Sequence, residues 1–212
     1  MRTLFTVLLL AAAPLAAAEP GWTSLFNGRD LTGWKVNENT ATFSIKDGAI
    51  VSHGPRSHCF YVGDFSGHRF QDFELKVDVM TLKGANGGIY IETEYQDQGW
   101  PGKGFEVQVN NTFATDPRKT GSLYEVQDVD EAAINRLGIK DNQWFTEHIV
   151  ARGNNIKVFL DDHQVVDWTQ PAGWNGTSDF AGRRVGPGTI ALQGHDPGST
   201  VYYKNIRIKL LK

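Results

Sequence analysis

Two short stretches of the chain carry carboxylate, amide and imidazole side chains at alternating positions. In the first stretch, Glu106, Gln108 and Asn110 alternate with apolar residues, and in the second, His195 follows two positions after Gln193. Successive side chains of a β-strand point to opposite faces, so each polar set shares one face. A face with a carboxylate, several amides and an imidazole can bind hydroxyl groups and transfer protons.

An ordinary solvent-exposed sheet face is the simpler explanation for such a row. Exposed faces are commonly rich in Lys, Thr and Ser, whereas this one offers amides, a carboxylate and a histidine. The glycine-rich loop 99–102 carries Trp100 and is placed to wall the same face. An aromatic ring beside fixed amides suits a sugar, which presents both hydroxyls and apolar C–H groups. The pattern therefore favours a surface that binds carbohydrate.

Glycoside hydrolysis by two carboxylates on one strand does not fit these residues. Jelly-roll glycosidases of the laminarinase type carry Glu-x-Asp-x-x-Glu, and the corresponding positions here are Glu106, Gln108 and Asn111. Because two of the three carboxylates are replaced by amides, Glu106 has no partner on its own strand for that mechanism.

The hydrophobic pattern has a period of two wherever a period is visible, which predicts β-strands. The strongest strands are Phe73–Val79, Phe105–Asn110 and Tyr202–Leu210. Shorter strands are predicted at 43–45, 49–52, 60–62, 88–95, 145–151, 156–160, 164–167 and 189–193.

Turn residues separate these strands. Hairpin turns are predicted at 46–48, 153–155 and 161–163, where Gly, Asn and Asp cluster. One short helix is predicted around 130–137, with Asp130 as its N-cap.

Many short strands without β-α-β alternation predict an all-β fold, a sandwich or jelly roll. The sequence contains no internal repeat, low-complexity linker or shift in composition that marks a second domain. We therefore predict one domain over residues 19–212, long enough to bury a sizeable core. Long irregular connections at 95–104, 111–121 and 171–188 are of a length that is usually functional or disordered.

The first residues predict export. Arg2 provides a short positive region, residues 4–13 are almost entirely apolar, and Pro14 ends the segment. Residues 16–18 are all Ala, which fits the small-residue rule of signal peptidase. The apolar stretch is too short for a permanent membrane anchor. We expect cleavage after Ala18 and a periplasmic or secreted protein.

The charge and composition of the sequence indicate which classes of partner to expect. The formal net charge is −3, and no basic run or stripe of Lys and Arg is present, which disfavours nucleic acid as a partner. We expect a small saccharide or glycoside as the ligand, and the sequence makes no prediction of oligomeric state. Cys59 is the only cysteine, so no disulfide can form within the chain, and we expect it to be a small buried apolar residue.

Seven stretches of the sequence resemble the 3-keto-disaccharide hydrolase domain family, a bacterial group of concanavalin-like jelly-roll domains. They are Leu25–Trp34, Phe70–Leu75, Asn86–Tyr90, Gly104–Val109, Thr120–Tyr124, Ala191–His195 and Lys204–Ile206. They occur in the family's order, and the first stretch together with Glu-x-Gln and Leu-Gln-x-His is specific. The resemblance implies a jelly-roll β-sandwich and an exported enzyme that cleaves 3-keto-glycosides.

The chemistry implied by this resemblance needs no second carboxylate. A ketone at C3 of a glycoside makes the C2 proton acidic, so that a base can remove it. The negative charge then rests on an enolate oxygen, and the aglycone leaves from C1 by elimination, with or without later addition of water. The route needs a base, a group that stabilises the enolate, and a proton donor for the leaving oxygen.

Carried over to this chain, the resemblance makes Glu106 and His195 the acid and base candidates and Tyr124 a candidate proton donor. It also allows one divalent metal ion that stabilises the enolate. The oxygen and nitrogen ligands available for such an ion are His195, Asp196 and Glu106.

The predicted substrate contacts surround these residues. Gln108 and Gln193 would hold sugar hydroxyls or the keto oxygen, and Asn86 stands in the family's Asn-Ser-Gly turn, where Gly87 replaces Ser. The full predicted substrate-binding set is Gln108, Asn110, Gln193, Asn86 and Trp100.

Two positions depart from the family pattern. Many members carry Arg where this chain has Glu92, and an Asp where it has Asn111. We therefore expect a cationic contact and a further carboxylate to be lost from the site. These losses motivate the alternative function, a non-catalytic, lectin-like carbohydrate-binding module.

Overall fold

The computed structural model describes residues 19–212. The signal peptide predicted for residues 1–18 lies outside the described residues and stays a prediction. In the part of the chain that is described, no helix is both long and apolar enough to cross a membrane.

Short strands account for most of the regular structure. Strands β1 to β7 are Thr23–Ser24, Trp34–Val36, Phe43–Lys46, Ala49–His53, Ser57–Tyr61, Phe73–Thr81 and Gly87–Thr93. Strands β8 to β13 are Phe105–Val109, Phe145–Arg152, Asn155–Leu160, His163–Thr169, Thr189–Gly194 and Thr200–Leu210. The helix α1 is Glu131–Arg136, and two 3₁₀ turns are Thr40–Thr42 and Phe65–His68.

The strands form two antiparallel sheets. The larger sheet has the order β11-β10-β9-β6-β13-β4-β3, with β1 also pairing with β13. The smaller sheet has the order β2-β5-β12-β7-β8. Neighbouring strands such as β5 and β12 are far apart in sequence, so the smaller sheet brings together residues from distant parts of the chain. The predicted all-β sandwich is confirmed.

The core lies between the two sheets and is filled by the period-two residues. Val77 of β6 and Ile208 of β13 are fully buried on the inner face of the larger sheet. Ile89, Val107 and Leu192 are fully buried on the inner face of the smaller sheet. Full burial of each such side chain stabilises the fold by about 1.5–3 kcal/mol. The alternation that fills this core leaves the polar residues of β7, β8 and β12 on the outer face of the smaller sheet.

Every strand predicted from the sequence is present, with ends that differ by up to three residues. The three hairpin turns are confirmed by the pairing of β3 with β4, β9 with β10, and β10 with β11. The helix is confirmed as well, since the side chain of Asp130 accepts a hydrogen bond from the main-chain nitrogen of Ala133 at 2.7 Å. Strands β1 and β2 were not predicted, because two or three residues are too few to show a period.

One carboxyl group is buried in the core itself. Glu147 of β9 is 0% exposed and shares the inward row of its strand with Phe145 and Ile149. Neither side-chain oxygen of Glu147 has a hydrogen-bond partner in the described residues. Burial raises the pKa of Glu147 well above its usual value, which favours the neutral form.

We predict that Glu147→Leu stabilises the protein, and more so at high pH. Because the pKa of Glu147 is higher in the folded state, the folded state is favoured below the unfolded pKa, near 4.5, and loses stability as the pH rises through the folded pKa. Removing an unpaired buried polar group should raise the free energy of unfolding by about 1–3 kcal/mol at pH 9, and by less at pH 5. Urea unfolding at the two pH values measures this.

The matched control is Glu94→Leu, since the Glu94 side chain is 65% exposed. It should show no comparable pH-dependent gain. A Glu147→Leu protein whose stability relative to the parent is the same at both pH values would contradict the prediction.

Candidate active site

Three neighbouring strands of the smaller sheet, β12, β7 and β8, place polar side chains on its outer face. Tyr90 of β7 lies opposite both Glu106 of β8 and Ala191 of β12 in the strand register. Gln108 and Gln193 each follow two residues after these partners and therefore share the face. The strand register thus fixes the relative positions of the residues that alternate with the core.

The carboxylate of Glu106 lies at the centre of this face and is only 5% exposed. The hydroxyl of Tyr90 donates to Oε2 of Glu106 at 2.8 Å. The amide nitrogen of Gln193 donates to Oε1 at 2.6 Å and lies 3.3 Å from the Tyr90 oxygen. Each carboxylate oxygen therefore has its own neutral donor, and the plane of the carboxylate is fixed.

A guanidinium group faces the same carboxylate. Nη2 of Arg183 lies 3.6 Å from Oε2 of Glu106, and the arginine residue is 1% exposed. Arg183 comes from the 171–188 loop and is enclosed by the rings of Phe180 and Tyr124, whose centroids lie 4.3 and 5.5 Å from Cζ. The position of Glu92 supplies no cation, and the positive charge beside Glu106 comes instead from a loop distant in sequence.

The two departures from the family pattern have structural roles here. Glu92 lies in β7 with a positive φ of 54°, and its Oε2 accepts a hydrogen bond from the main-chain nitrogen of Gly186 in the 171–188 loop. Burial raises the pKa of Glu92 to about 8. Asn111 donates to the hydroxyl of Thr81 at 2.8 Å and accepts from that of Thr120 at 2.6 Å. Both residues hold loops that surround the site.

The electrostatics of the centre are set by burial. Burial raises the pKa of the Glu106 carboxyl, while Arg183, Tyr90 and Gln193 oppose the rise. Burial also raises the pKa of Tyr90 well above its usual value, and the neighbouring Glu106 charge adds to the effect. A desolvated carboxylate is a stronger base than one in water, so Glu106 is suited to accept a proton.

A histidine paired with a carboxylate lies just beyond β12. Nδ1 of His195 is 2.8 Å from Oδ2 of Asp196, which also accepts from the hydroxyl of Ser199 at 2.6 Å. Burial acts to raise the pKa of Asp196, but the hydrogen bonds from Ser199 and His195 lower it on balance. A carboxylate at Nδ1 favours the tautomer that leaves Nε2 free to accept a proton. The hydroxyl of Ser199 accepts in turn from the main-chain nitrogen of Asn86 at 2.9 Å.

The 111–121 loop closes one side of the face. The amide of Gln108 donates to Oδ2 of Asp116 at 3.2 Å. Asn110 accepts from the main-chain nitrogen of Phe113 at 2.8 Å and donates to the main-chain oxygen of Asp116 at 3.1 Å. Asn110, predicted as a substrate contact, does not line the cavity over the face but holds the loop that closes it.

Tyr124 follows this loop and faces the cavity. Its main-chain nitrogen donates to the main-chain oxygen of Glu106 at 2.9 Å, which ties it to β8. Burial raises the pKa of Tyr124, and the charges of Asp116 and Glu106 raise it further. The hydroxyl of Tyr124 therefore stays protonated and can donate a hydrogen bond.

Aromatic rings form the opposite wall. The ring of Trp100 lies 5.3 Å from that of His195 and 5.5 Å from that of His58, between centroids. His58 is fully buried and also packs edge-on against Tyr90 at 5.4 Å. Burial lowers the pKa of His58 to about 3, so its ring is neutral and serves as an apolar support. Phe113 approaches the far side of His195 at 5.6 Å.

These groups enclose a cavity of about 190 Å³. Its lining consists of Asn86, Tyr90, Trp100, Glu106, Gln108, Asp116, Tyr124, Phe180, Gln193 and His195. Cavities for drug-sized ligands span roughly 300–1,000 Å³, so this one suits a smaller ligand, of the size of one sugar ring. A larger groove of about 550 Å³ lies beside it, and Glu125, Asp179, Arg118 and Trp174 are among its lining residues.

The cavity brings together seven of the eight residues predicted from the sequence. They are Glu106, His195, Tyr124, Gln108, Gln193, Asn86 and Trp100. Sequence reasoning did not assign roles to Tyr90, Asp116, Phe180 and Arg183. The alternation of β7 does place Tyr90 on the polar face, opposite Ile89 and Ile91, but it does not show which residue Tyr90 contacts. The other three come from long loops, where no period reveals their direction.

The ligand set expected for a divalent metal is not assembled. Within residues 19–212, no three His, Cys, Asp or Glu side chains come together in a way that could hold a metal ion. Both oxygens of Glu106 accept hydrogen bonds, and Nδ1 of His195 faces Asp196. No step is therefore assigned to a metal, and the expectation of one divalent ion stays a prediction.

Comparisons with known proteins agree with this architecture. The profile of the 3-keto-alpha-glucoside-1,2-lyase-like domain matches residues 21–209. A protein of Bacteroides thetaiotaomicron named 3-keto-disaccharide hydrolase is 23% identical over 235 residues, which cover 90% of this chain and 79% of that protein.

Two solved structures share the fold. A Parabacteroides distasonis protein provisionally named a glycosyl hydrolase superposes with a TM-score of 0.72 at 22% identity, over 91% of this chain and 94% of its own. The β-glucanase of Bacillus licheniformis superposes with a TM-score of 0.54 at 14% identity, over 90% and 97% of the two chains. The predicted concanavalin-like jelly roll is confirmed.

The position of Glu106 depends on the absence of a side chain at Gly88 of β7. A Cβ added at Gly88 would lie 2.6 Å from Oε1 and 3.0 Å from Cγ of Glu106. We predict that Gly88→Ala lowers the free energy of unfolding by about 1–3 kcal/mol, because Glu106 is packed and hydrogen-bonded in place. Chemical denaturation measures this loss.

Gly186→Ala is the control, since its added Cβ meets no atom within 4 Å and its φ is not positive. Equal stability of the Gly88→Ala and parent proteins would show that Glu106 can move aside without cost.

Proposed function

This chain belongs to the 3-keto-alpha-glucoside-1,2-lyase-like domain family, and we propose that it cleaves 3-keto-glycosides, with 3-keto-disaccharides as its substrate class. The observation that carries the proposal is the buried carboxylate of Glu106, which lines the same small cavity as the Asp196-paired His195. The curated relative named for the same substrate class supports it.

The proposed reaction begins with removal of the C2 proton. The C3 ketone makes this proton acidic, and Glu106 is the base that accepts it. The electrons of the C2–H bond form a C2–C3 double bond, and the carbonyl electrons move to the C3 oxygen as an enolate. Gln108 lines the same cavity, and its side-chain NH₂ is a donor suited to the developing negative charge.

The second step expels the aglycone. Electrons from the enolate re-form the C3 carbonyl, a C1–C2 double bond forms, and the C1–O bond breaks. The departing oxygen needs a proton, and we assign this transfer to His195, which donates from Nε2 in its doubly protonated form beside Asp196 and is left neutral; Tyr124 is the second donor that faces the cavity. Addition of water at C1, with return of a proton to C2, completes a net hydrolysis, whereas release of the unsaturated sugar completes a lyase reaction.

Hydrolysis by two carboxylates is a second candidate, and one observation favours it. The 111–121 loop brings Asp116 into the lining of the cavity that contains Glu106. Oδ1 of Asp116 accepts a hydrogen bond from the main-chain nitrogen of Arg118 at 2.9 Å, and Oδ2 accepts one from the amide of Gln108 at 3.2 Å. Only this mechanism would act on an unoxidised disaccharide, so the two substrates separate the candidates.

The leaving group has a place beside the cavity. Neighbouring residues of three segments line the two spaces. Asp116, Tyr124 and Phe180 line the cavity, and Arg118, Glu125 and Asp179 line the larger groove. A disaccharide with its oxidised ring in the cavity would extend its second ring into this groove.

Export of the enzyme is proposed from residues 1–18 alone. N-terminal sequencing of the cellular protein would check it.

We predict that Glu106→Gln lowers turnover of a 3-keto-disaccharide by about 10²- to 10⁴-fold, because the amide cannot accept the C2 proton. Binding should persist, since the side chain keeps its shape. Release of the free sugar measures turnover, and exchange of the C2 hydrogen with D₂O measures the first step. Both should fall together in Glu106→Gln.

Glu94→Gln makes the same change at an exposed position and should keep parental activity. The assay is run with and without added divalent metal, and with the unoxidised disaccharide in parallel. A parent protein that binds the 3-keto-disaccharide without cleaving it under either metal condition would instead support the carbohydrate-binding module.

We predict that Trp100→Ala weakens binding of a 3-keto-glucoside to the Glu106→Gln protein by about 2- to 10-fold, the equivalent of an aromatic contact of 0.5–1.5 kcal/mol. Trp100 is 36% exposed and lines the cavity, so its ring is free to cover the apolar face of a sugar. Titration calorimetry measures the change. Trp144→Ala is the control and should leave the affinity unchanged, because Trp144 is 40% exposed, directly precedes β9 and packs against Tyr202 of the larger sheet.

A further inference from the structure

Arg183 is buried beside the catalytic centre but does not line the cavity. The residue is 1% exposed, and its neighbours Phe180 and Tyr124 are the ones that face the ligand space. None of its three guanidinium nitrogens has a hydrogen-bond partner among residues 19–212. The one charged group within salt-bridge distance is Glu106, at 3.6 Å. A buried guanidinium that lacks hydrogen bonds is costly unless its charge does something for a neighbour.

The 171–188 loop is fastened so that this guanidinium stays in place. The indole nitrogen of Trp174 donates to the main-chain oxygen of Arg183 at 2.7 Å. Gly182 pairs with Lys103 across a β-bridge, and Gly186 donates to the buried carboxyl of Glu92 at 3.1 Å. Contacts on both sides of Arg183 therefore fix the loop that carries it.

The carboxylate of Glu106 has few other sources of positive charge. Five titratable or charged groups interact electrostatically with the Glu106 carboxylate. They are Tyr90 from β7, Tyr124 after the 111–121 loop, Arg183 from the 171–188 loop, His195 after β12 and Tyr203 from β13. The three tyrosines are neutral in their protonated form. Arg183 is the permanent cation of this set, because a guanidinium does not lose its proton in proteins.

We propose that Arg183 is a positioning residue that holds Glu106 in its charged, proton-accepting form inside the closed cavity. The arginine acts through Glu106 and does not touch the substrate. The 171–188 loop therefore contributes to catalysis by charge, and the reactivity of the base depends on that loop being seated. The kinetic part of this inference rests on the proposed function, whereas the charge state of Glu106 can be measured without it.

The experiment compares Arg183→Met, Arg183→Lys and the parent protein. The pKa of Glu106 is followed by NMR of ¹³C-labelled glutamate carboxyls, with the resonance assigned from its absence in Glu106→Gln. An opposite charge within a few ångströms lowers a carboxyl pKa by about 1–3 units, so Arg183→Met should raise it by that amount. Arg183→Lys keeps the charge and should raise it less.

The kinetic readout follows the same direction. In the pH profile of kcat/KM, the acid-side fall in activity should move to higher pH in Arg183→Met, by about 1–3 pH units as for the pKa. Activity should recover as the pH is raised further. Arg184→Met is the matched control. Arg184 belongs to the same loop and bonds only to loop carbonyl groups, so its removal loosens the loop without changing the charge beside Glu106.

Failure of this inference and failure of the proposed function give different results. An unchanged Glu106 pKa in Arg183→Met, or an equal shift in Arg184→Met, overturns the inference. A parent protein inactive on every 3-keto-glycoside refutes the proposed function, while the NMR titration still decides the role of Arg183. If Arg183→Met does not fold, the double variant Arg183→Met/Glu106→Gln tests the inference instead. Because this double variant lacks the unpaired carboxylate charge, its melting temperature should recover toward that of Glu106→Gln alone. Failure of that recovery overturns the inference.

Discussion

The structure of the site depends on keeping one carboxylate out of water. A carboxylate as buried as that of Glu106 is stable only when other groups replace the hydrogen bonds and charge stabilisation of solvent. Here Tyr90 and Gln193 supply a donor to each oxygen, and Arg183 supplies positive charge. None of these three residues comes from the strand of Glu106. The smaller sheet and one long loop must therefore fold correctly before the carboxylate can be ionised inside the cavity.

The two faces of the smaller sheet have different roles: the inner face packs into the core, and the outer face carries the site. The inner face carries residues such as Val107 and Leu192, which pack into the core and fix the strand register. That register alone places Tyr90 opposite Glu106, since adjacent antiparallel strands pair residue to residue. A one-residue slip of β8 would turn Glu106 into the core and expose its apolar neighbours. Core packing is thus what holds the carboxylate of Glu106 on the outer face.

Residues of the site that lie on strands could be predicted from the sequence, whereas those on loops could not. Glu106, Gln108 and Gln193 could be placed from the sequence, because residues two apart on a strand share a face and the apolar neighbours mark the other one. Arg183 and Asp116 could not, because the irregular loops that carry them have no period, and their direction is set by contacts distant in sequence. Asn110 had the right face but the wrong partner: the alternation does not show whether a loop or a ligand will take its amide.

The fold itself does not determine the chemistry. A β-glucanase shares this jelly roll, yet the present chain has Gln108 on β8 and Asn111 just after it, where two-carboxylate enzymes of the laminarinase type carry acids. The departure at Glu92 also bears on the source of positive charge beside Glu106. An arginine at that position would lie in β7, whereas here Glu92 fastens the loop that delivers Arg183. The cation beside Glu106 therefore comes from a loop that Glu92 helps to hold, and not from β7. Because electrostatic stabilisation depends on where a charge lies and not on which segment carries it, an arginine from a loop can stabilise a carboxylate on a strand as well as one from the neighbouring strand could.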